Sequence, residues 1–520
     1  MSKVQSKIKL KTKDYRTCLS RQGYSLVKSK FSDQELLELK KELTVKPFIN
    51  SQYNEQPKIF PVYVENDTKI YLPRYFGFQK YGLPDKDKLD NGLSINLKFS
   101  GSLRSKQIPI VTAYLKATED SGGGIISVGC GEGKTVIALN IISRLKRKTL
   151  VVVHKDFLLN QWKERILGDP IKNISGFLPN ARVGIIKGSR IDIKDKDIVI
   201  GMLQSISMKN YPSKIFSEFG LVIYDECHHV SAEVFSRALL KTGFRYTLGL
   251  SATPKRKDGL TKVFKWYLGE MAYQAINTRL DVVNINIYSY YNDNSDYFKE
   301  IKNYMGRINS ASMITKICDS PKRNNFILSL IKKLIKENRK ILVLSDRKKQ
   351  LTYLNNTIQE DTSGPNGTPF ATSGLYVGGM KNSDLKESEQ ANIMLGTFAM
   401  VSEGFDNPEL NTLILASSKS DIVQSVGRIL RKKPEDRVLT PTIIDIWDRF
   451  SIFERQGYVR AKYYKKKKYN LINFKVDHNG NNPIITKLEN KKNKNKNNEN
   501  NRNNRKSRNK NSIDANNYNF

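Results

Sequence analysis

Cysteine and histidine are both scarce in this chain of 520 residues, which contains four of each. The cysteines, Cys18, Cys130, Cys227 and Cys318, lie far apart and form no CxxC pair, so the spacing typical of a zinc site is missing. A disulfide framework is not expected in a chain of this size. The cysteine usage therefore favours a reducing compartment.

Long hydrophobic runs are missing as well. No stretch approaches the roughly 18 apolar residues that a membrane-spanning helix needs. The segment MSKVQSKIKLKTKDY at residues 1–15 is basic but contains no apolar core of the kind that secretory signals carry. We therefore expect an intracellular protein with no secretion signal and no membrane partner.

Acidic residues are few, with 51 Asp and Glu against 88 Lys and Arg, which gives a net charge of +37. This excess excludes an acidic solvating protein and makes a polyanion the leading partner. A proteome rich in Lys and Asn would produce the same charge, so the charge alone does not establish a polyanionic partner. Hydrophobic residues make up 39% of the chain, which is enough for real cores. The length predicts three or four domains, at roughly 100–200 residues each.

The hydrophobic pattern of residues 1–95 predicts a small α+β accessory domain. Ser32 and Glu35 form a capping box in front of a leucine-rich helical pattern, so we expect a helix to begin there. The run KIFPVYVENDTKIYLPRYFG at residues 58–77 alternates apolar and polar positions, which favours strands. Nothing in this segment resembles a catalytic motif.

The rest of the chain predicts two parallel sheets and a tail. Residues 96–275 and 310–486 alternate short apolar runs with helical segments, which is typical of an α/β fold whose sheet is covered on both faces. Residues 276–309 between them are predicted to be a linker. Residues 487–520 hold 14 Asn and 10 Lys or Arg against three acids, and this composition predicts a disordered basic tail.

The glycine-rich segment SVGCGEGKT at residues 127–135 lies between an apolar strand and a helical pattern. Such a backbone can direct its N–H groups at phosphate oxygens, at the positive end of the helix. Lys134 would reach the β- and γ-phosphates, and the hydroxyl of Thr135 would ligate Mg²⁺. The strict pattern GxxxxGK[ST] fails at its first position, where Val128 stands, and an ordinary glycine turn is the alternative. The predicted nucleotide-binding residues of this loop are Gly129, Cys130, Gly131, Glu132, Gly133, Lys134 and Thr135.

A pair of acids follows the apolar run LVIY at residues 221–224. Asp225 is suited to hold Mg²⁺, and Glu226 to orient and deprotonate a water that attacks a nucleoside triphosphate. An acidic turn at the end of a strand is the alternative interpretation. The phosphate loop about 90 residues upstream favours the catalytic one.

Asp225-Glu226-Cys227-His228 resembles the DExH box of the superfamily 2 helicases, and other motifs of that family occur in the expected order. The resemblance implies that Gln107 contacts adenine. It implies nucleic-acid contacts for Lys155, Gln204 and Ser205. It also implies that His228, Ser251, Ala252 and Thr253 couple ATP hydrolysis to movement.

In the second parallel-sheet segment, Gly396-Thr397 and Glu403–Asp406 resemble motif V, and QSVGRILR at residues 424–431 fits the pattern QxxGRxxR of motif VI. The family has two tandem RecA-like P-loop NTPase domains with ATP between them. The resemblance therefore implies that Arg428 and Arg431 act as arginine fingers on the γ-phosphate. It further implies ATP contacts for Gly404, Asp406 and Gln424, a nucleic-acid contact for Thr397, and the cofactors ATP and Mg²⁺.

Within this superfamily, the loop GCGEGKT is more similar to DNA-repair and transcription helicases of the xeroderma pigmentosum B type than to DEAD-box RNA helicases. DECHHVSAEVFSRAL and LGLSATPKRKDGL resemble helicases of phages and large DNA viruses, including the poxvirus transcript-release helicase. This resemblance implies an ATP-dependent helicase or translocase on duplex DNA, acting in transcription or repair, with transcription machinery as a partner. For a viral protein it implies the host cytoplasm or the virion.

Two other functions stay open at this stage. One is an RNA helicase, and the other is a scaffold or sensor that binds nucleic acid without unwinding it. The presence of Lys134, Glu226, Arg428 and Arg431 argues against an inactive scaffold. The sequence does not determine the oligomeric state.

One basic and aromatic segment belongs to none of these motifs. Residues 457–470 read GYVRAKYYKKKKYN, a mixture that can stack bases or bind phosphates. An exposed helix whose lysine stems lie along its surface is an equal alternative.

Overall fold

A computed structural model of the chain describes residues 17–47, 59–129, 131–170, 174–227, 233–252, 259–275, 281–364, 367–401, 405, 407–479 and 482–488. The chain divides into two compact units, residues 1–279 and residues 280–520. No helix within the described ranges is long and apolar enough to cross a membrane.

The first part of unit 1 contains a small mixed sheet and two helices, as the α+β prediction for this segment expected. The elements are β1 (Thr17–Ser20), β2 (Gly23–Val27), α1 (Asp33–Glu42), β3 (Thr44–Val45), β4 (Phe60–Pro61), β5 (Val64–Glu65), β6 (Lys69–Leu72), α2 (Arg74–Tyr81) and β7 (Lys86–Asp87). Ser32 caps α1 in a complete capping box with Glu35, which confirms that prediction. The strand prediction for residues 58–77 is wrong at its end, because α2 begins at Arg74.

A parallel sheet with helices on both faces forms the rest of unit 1. Its elements are α3 (Ile108–Ser121), β8 (Gly123–Ser127), α4 (Lys134–Leu145), β9 (Thr149–Val153), α5 (Asp156–Leu167), β10 (Gly168–Asp169), β11 (Ile174–Ser175), β12 (Val183–Lys187), β13 (Arg190–Asp192), β14 (Ile198–Met202), α6 (Leu203–Met208), β15 (Leu221–Tyr224), α7 (Glu233–Lys241), β16 (Tyr246–Ser251), α8 (Thr261–Leu268) and β17 (Met271–Gln274). The strand order is β13-β12-β14-β9-β15-β16-β8-β17. Every neighbouring pair is parallel except β12 and β13.

The small N-terminal sheet and its helices pack against the amino-terminal edge of this parallel sheet. Arg74 on α2 donates hydrogen bonds to the carbonyl of Ser121, which ends α3, and to the carbonyl of Arg245, just before β16. The hydroxyls of Tyr75 and Thr247 lie 2.9 Å apart. The N-terminal elements are therefore packed at the opposite edge from the glycine-rich loop, which follows β8 at its carboxyl end.

Unit 2 repeats the architecture with a second sheet. Its elements are β18 (Asn284–Tyr290), α9 (Ser295–Phe298), α10 (Ser310–Cys318), α11 (Pro321–Lys336), β19 (Ile341–Ser345), α12 (Lys348–Glu360), β20 (Ser373–Tyr376), α13 (Asn382–Gln390), β21 (Ile393–Thr397), α14 (Phe398–Val401), β22 (Thr412–Leu415), α15 (Val423–Arg428), β23 (Thr442–Asp448), α16 (Ser451–Lys466), β24 (Asn470–Asn479) and β25 (Asn482–Leu488). The strand order is β20-β21-β19-β22-β23-β18-β24-β25, parallel throughout except for β24 and β25. The predicted α/β fold with two tandem RecA-like sheets is confirmed.

The predicted linker over residues 276–309 is not what the structure contains. Residues 284–290 form β18, which lies between β23 and β24 and is hydrogen-bonded to both. The side chains of Ile285 and Ile287 are buried in the core on one face of the sheet, and Tyr288 and Tyr290 in the core on the other. The second unit therefore begins before β18, and α10 starts only after this strand. The tail predicted over residues 487–520 lies outside the described residues, except for its first two.

Two ion pairs are buried between the helices and β23 in unit 2. Arg323 on α11 and Asp448 are each fully buried, and the guanidinium donates to the carboxylate at 2.9 and 3.0 Å. Arg460 on α16 binds Asp445 in the same way, with distances from 2.8 to 3.1 Å. Two fully hydrogen-bonded arginines thus fix a helix on each face of the sheet to the same strand.

The remaining donors of both arginines bind the turn that follows β22. Nη1 of Arg323 donates to the carbonyl of Ala416. Nη1 of Arg460 donates to the hydroxyl of Ser418 at 3.2 Å and to the carbonyl of Lys419 at 2.8 Å. This turn leads into α15, so the start of α15 is fixed from two sides.

We expect Arg323→Met to destabilise unit 2 by about 3–5 kcal/mol, because it leaves the carboxylate of Asp448 buried without its cation. Urea unfolding of the full chain measures the change. The double variant Arg323→Met/Asp448→Asn removes the charge as well and should recover part of the loss. A double variant no more stable than Arg323→Met would contradict a charge-based origin.

Candidate functional site

The predicted motifs of unit 1 lie in a row along the carboxyl edge of its sheet. Because neighbouring strands are parallel, β12, β14, β9, β15, β16 and β8 all end at this edge. The glycine-rich loop follows β8, and the two acids follow β15. Ser251 ends β16, the strand between those two, and Ala252 follows it. Parallel pairing therefore brings together motifs that are far apart in the sequence.

The glycine-rich loop connects β8 directly to the first turn of α4. Val128, the departure from the strict pattern, is only 2% exposed and belongs to the core of this sheet. It continues the buried strand, which explains an apolar residue there. Gly129 and Glu132 form a turn through a backbone hydrogen bond of 3.4 Å. Cys130 lies outside the described residues.

Gly133 must be glycine for two reasons. Its φ of +81° is left-handed, and an added Cβ would lie 2.4 Å from Nε2 of Gln107. Gln107 is 3% exposed and donates from that nitrogen to the carbonyl of Glu132 at 3.0 Å, while its side-chain oxygen accepts from the backbone N–H of Arg104. Gln107 therefore lies against the phosphate loop and links this loop to the turn at Arg104.

Lys134 and Glu226 form an ion pair across the row, with 3.2 Å between Nζ and Oε1. Lys134 is the first residue of α4, and Thr135 follows it in the same first turn, where backbone N–H groups are not bonded within the helix. The positive helix end and the lysine together favour a bound anion such as a phosphate. The structure thus brings Lys134 and Glu226 together, with Thr135 next to Lys134 in the first turn of α4.

Asp225 is held in place by a tryptophan that the sequence analysis did not assign to the site. Nε1 of Trp162 on α5 donates to Oδ2 of Asp225 at 2.9 Å, and the backbone N–H of Glu226 donates to Oδ1 at 3.0 Å. Burial raises the pKa of Asp225, and the Glu226 carboxylate raises it further, whereas Lys134 lowers it. The fold therefore maintains a carboxylate whose charged form it destabilises.

Glu226 itself has an unusual backbone, with a φ of +48°. Residues other than glycine rarely adopt this left-handed conformation, and such strain is concentrated at functional positions. The next residue, Cys227, is fully buried, and burial raises the pKa of its thiol, so it is an inert core residue. His228 and Thr253, both predicted to couple hydrolysis to movement, lie outside the described residues.

The predicted nucleic-acid contacts of unit 1 occupy the other half of the same edge. Gln204, at the start of α6, donates to the carbonyl of His154 at 2.9 Å, and Lys155 follows directly as the N-cap of α5. The hydroxyl of Ser205 accepts from the backbone N–H of Gly188 at 2.9 Å. These hydrogen bonds align the ends of β9, β14 and β12.

A basic turn next to these residues was missed by the sequence analysis. It is the tight connection between β12 and β13, where Lys187 and Arg190 flank Gly188, and both cationic side chains are exposed. The hydroxyl of Tyr211 donates to the carbonyl of Gly188 at 2.7 Å, so the turn is held from two sides. Its sequence, KGSR, resembles a common surface turn, and only the parallel pairing of β12 with β14 places it beside Ser205.

In unit 2, the predicted residues lie at the corresponding edge. Thr397 ends β21, and Gln424 and Arg428 lie on α15. Arg428 is 5% exposed and donates from Nη1 to the carbonyl of Phe405, which belongs to the motif V segment. Motifs V and VI are therefore in direct contact. Arg431 lies three residues beyond α15 and is half-buried, and Gly404 and Asp406 lie outside the described residues.

The residues present fit a magnesium ion that is held mainly by its nucleotide. The described part of the chain has no cluster of three or more His, Cys, Asp or Glu side chains placed to bind a metal. Mg²⁺ commonly takes only one or two protein ligands and fills its other positions with phosphate oxygens and water. The carboxylate of Asp225 and the hydroxyl of Thr135 match that donor set.

We expect Asp225→Asn to raise the thermal midpoint of the full chain in metal-free buffer at pH 8, because it removes a charge that burial and Glu226 destabilise. An asparagine oxygen still accepts from Trp162, whereas the hydrogen bond from the backbone N–H of Glu226 is lost and offsets part of the gain. ATP hydrolysis should fall about a hundredfold or more. Calorimetry and a phosphate-release assay measure the two effects. An unchanged or lower midpoint would show that the carboxylate is not energetically costly in the folded protein.

Comparisons with known proteins agree with this arrangement. Residues 100–256 match the family described as Type III restriction enzyme, res subunit. A protein of Acanthamoeba polyphaga mimivirus named as a putative ATP-dependent RNA helicase is 36% identical over 471 residues, covering 89% of this chain and 87% of that protein. The DNA 3'-5' translocase XPB2 of Sulfurisphaera tokodaii is 32% identical over 206 residues, covering 39% of this chain and 43% of its own length.

Among solved structures, the fragment of a putative HsdR subunit of a type I restriction enzyme from Vibrio vulnificus has a TM-score of 0.50 at 16% identity. It covers 72% of this chain and 70% of that one, which shows a shared fold. The mimivirus relative matches nearly the whole chain, and the predicted motif order agrees with the family. The chain therefore belongs to the superfamily 2 DExH-box helicases of the kind that large DNA viruses encode, a family of ATP-hydrolysing enzymes.

Proposed function

We propose that this helicase is a motor on duplex DNA that acts in viral transcription or repair, and that the row of residues at the edge of the first sheet is its ATP site. The observation that carries the proposal is the ion pair of 3.2 Å between Lys134 and Glu226, beside the fixed carboxylate of Asp225. This observation supports the proposal because a cation suited to a phosphate, a candidate base and a candidate metal ligand share one small region.

The ion pair gives each partner a defined role. With no nucleotide present, Glu226 neutralises Lys134 and keeps the cation in position without a bound phosphate. An incoming triphosphate competes for Lys134 and releases Glu226 to accept a proton from the attacking water. Gln107 stabilises the loop through the carbonyl of Glu132, which keeps the loop N–H groups in position for phosphate oxygens.

Mg²⁺ would be held by Thr135 and Asp225 together with phosphate oxygens, and when bound it neutralises charge on the β- and γ-phosphates. The hydrogen bond from Trp162 fixes the orientation of the Asp225 carboxylate. Trp162 acts through Asp225 and is therefore a positioning residue.

Unit 2 would contribute the arginines. Arg428 and Arg431 stabilise the charge that develops on the γ-phosphate, and such arginines are typically worth about 10³–10⁵ in rate. Gln424, Gly404 and Asp406 are proposed to complete the nucleotide contacts. Arg428 donates a hydrogen bond to the carbonyl of Phe405, so motifs V and VI are linked by a direct contact.

The nucleic-acid strand would lie along the other half of the edge in unit 1. Lys155, Gln204 and Ser205 are the proposed contacts there, and Thr397, which ends β21, is the proposed contact in unit 2. These contacts are mainly to phosphates, so binding should weaken with salt. Ser251 ends the strand between the loop and the acids, and Ala252 follows it, which is a suitable position for the predicted coupling of hydrolysis to movement.

Duplex DNA is favoured over RNA by the resemblance of the phosphate loop to the xeroderma pigmentosum B type. The likeness to a protein named as a DNA translocase supports the same choice. RNA is the second candidate, because the mimivirus relative is named as an RNA helicase. Transcription machinery as a partner rests on the resemblance to poxvirus transcript release.

ATP hydrolysis should be measured without nucleic acid and then with single-stranded DNA, duplex DNA and RNA. We expect DNA to stimulate the wild-type protein. Glu226→Gln should reduce the stimulated rate by about 10²–10⁴, because it removes the proton acceptor. Glu270→Gln is a matched control, since Glu270 also pairs with a lysine but precedes β17 at the opposite edge of the sheet.

The outcomes separate the candidates. Stimulation by RNA alone would overturn the DNA proposal and favour the RNA helicase. Equal rates for wild type and Glu226→Gln would overturn the assignment of the ATP site. Equal losses in Glu226→Gln and Glu270→Gln would indicate a general effect of removing a paired acid.

A further inference from the structure

Residues 457–470, for which the sequence leaves two interpretations open, include both buried and exposed positions in the structure. The segment begins within α16, which packs against β23. One face of this helix is buried and holds Phe453, Gly457, Arg460 and Tyr464. The other face, at positions 455, 458, 462, 465 and 466, is exposed. Spacings of three, four and seven residues place these five side chains on one stripe of the helix.

The buried face fixes the helix in a single orientation. Arg460 makes its ion pair with Asp445, and the hydroxyl of Tyr464 donates to the same carboxylate at 2.9 Å. Gly457 lies directly against Trp447, where an added Cβ would come within 2.0 Å of the indole ring. Rotation of α16 would break a buried ion pair, so the exposed stripe is presented rigidly.

The exposed stripe carries positive charge without compensating acids. It contains Arg455, Lys462, Lys465 and Lys466, and none of them forms an ion pair with any part of the chain that the structure describes. Glu454 is the only acid between residues 451 and 468. Like charges three and four residues apart, as at 462, 465 and 466, destabilise a helix.

The helix dipole explains only part of this pattern. Lys465 and Lys466 lie in the last turn, where cations interact favourably with the helix end. Arg455 and Lys462 lie further from that end and gain little from it. A helix selected only for solubility would be expected to alternate both signs of charge along this face. The uncompensated stripe therefore indicates an anionic partner.

An aromatic side chain lies within the charged stripe. Tyr458 is 60% exposed, between Arg455 and Lys462. Its ring is supported edge-on by Trp447, with 5.1 Å between centroids, and Trp447 is covered by the guanidinium of Arg449 at 3.5 Å. A supported aromatic ring among cations is the combination that binds a base and its flanking phosphates.

We propose that the exposed face of α16, formed by Arg455, Tyr458, Lys462, Lys465 and Lys466, is an additional nucleic-acid contact that binds the phosphodiester backbone and, where the strand is unpaired, stacks one base on Tyr458. The inference rests on the proposed function, because it takes the motor's nucleic acid as the partner. It adds a surface outside the helicase motifs. The surface is attached to motif VI through Arg460, which holds the turn before α15.

The salt dependence of binding tests the phosphate contacts. Affinity of the full chain for a short labelled DNA duplex is measured by fluorescence anisotropy over a series of KCl concentrations. Each lost phosphate contact should reduce the slope of log affinity against log salt by about one. We expect Lys462→Gln/Lys465→Gln to reduce the slope by about two.

The matched control is Lys333→Gln/Lys336→Gln. These lysines have the same spacing, are exposed and lie in the last turn of α11, on the opposite face of the same sheet. The control should leave the slope unchanged. Equal thermal midpoints for both variants and wild type verify that the fold is intact.

Tyr458 is tested with single-stranded DNA and RNA of equal length. Tyr458→Ala should weaken binding about fivefold or more, and Tyr458→Phe, which retains the ring, should bind like wild type. Loss in both variants would indicate a role of the hydroxyl and overturn stacking.

These results distinguish this inference from the proposed function. A wild-type protein that binds no nucleic acid would overturn both. Normal binding by wild type, with the same slope in the Lys462/Lys465 variant, would overturn only the α16 surface. Equal reductions in that variant and the Lys333/Lys336 control would mean that general surface charge, and not this helix face, sets the salt dependence.

Discussion

The parallel pairing of strands in the first sheet is the constraint on which the site depends. β8 and β15 are separated only by β16, so their carboxyl ends lie about 10 Å apart at the usual strand spacing. A lysine and a glutamate side chain extending from those two ends can span that distance. The ion pair between Lys134 and Glu226 is therefore a direct consequence of strand order. Antiparallel pairing of either strand with β16 would move one partner to the opposite edge.

Several features of this edge cost stability. Asp225 is a buried carboxylate beside a second acid, and Glu226 has a left-handed backbone. Such costs persist only where the surrounding structure is well determined. The strands behind the edge are fully buried along their length, and Trp162 fixes the carboxylate from an adjacent helix. The stability of the core thus offsets the cost of the buried charge and the strained backbone at this edge.

The sequence predicted what depends on local pattern. Short apolar runs located four strands of each sheet, and a capping box located the start of α1. The local pattern could not predict contacts between residues that are far apart in the sequence. Trp162 lies on an amphipathic helix, and nothing local indicates that its indole N–H reaches Asp225, which is 63 residues away. The segment NINIYSY at residues 284–290 alternates apolar and polar positions, so a strand signal was present, but its partners β23 and β24 are formed by much later residues.

The arginines of unit 2 illustrate how charge type alone misleads. Arg460 belongs to a strongly basic segment, yet it is buried against Asp445, whereas Lys462, two positions later, points to solvent. The first residue fixes the helix and the second is available to a ligand. Arg460 also binds the turn that leads into α15, so hydrogen bonds link the inner face of α16 to the segment just before the helix that carries Arg428. The proposed nucleic-acid contact on α16 and motif VI therefore lie at the two ends of one continuous set of hydrogen bonds, which is the kind of packed network through which sites can be coupled.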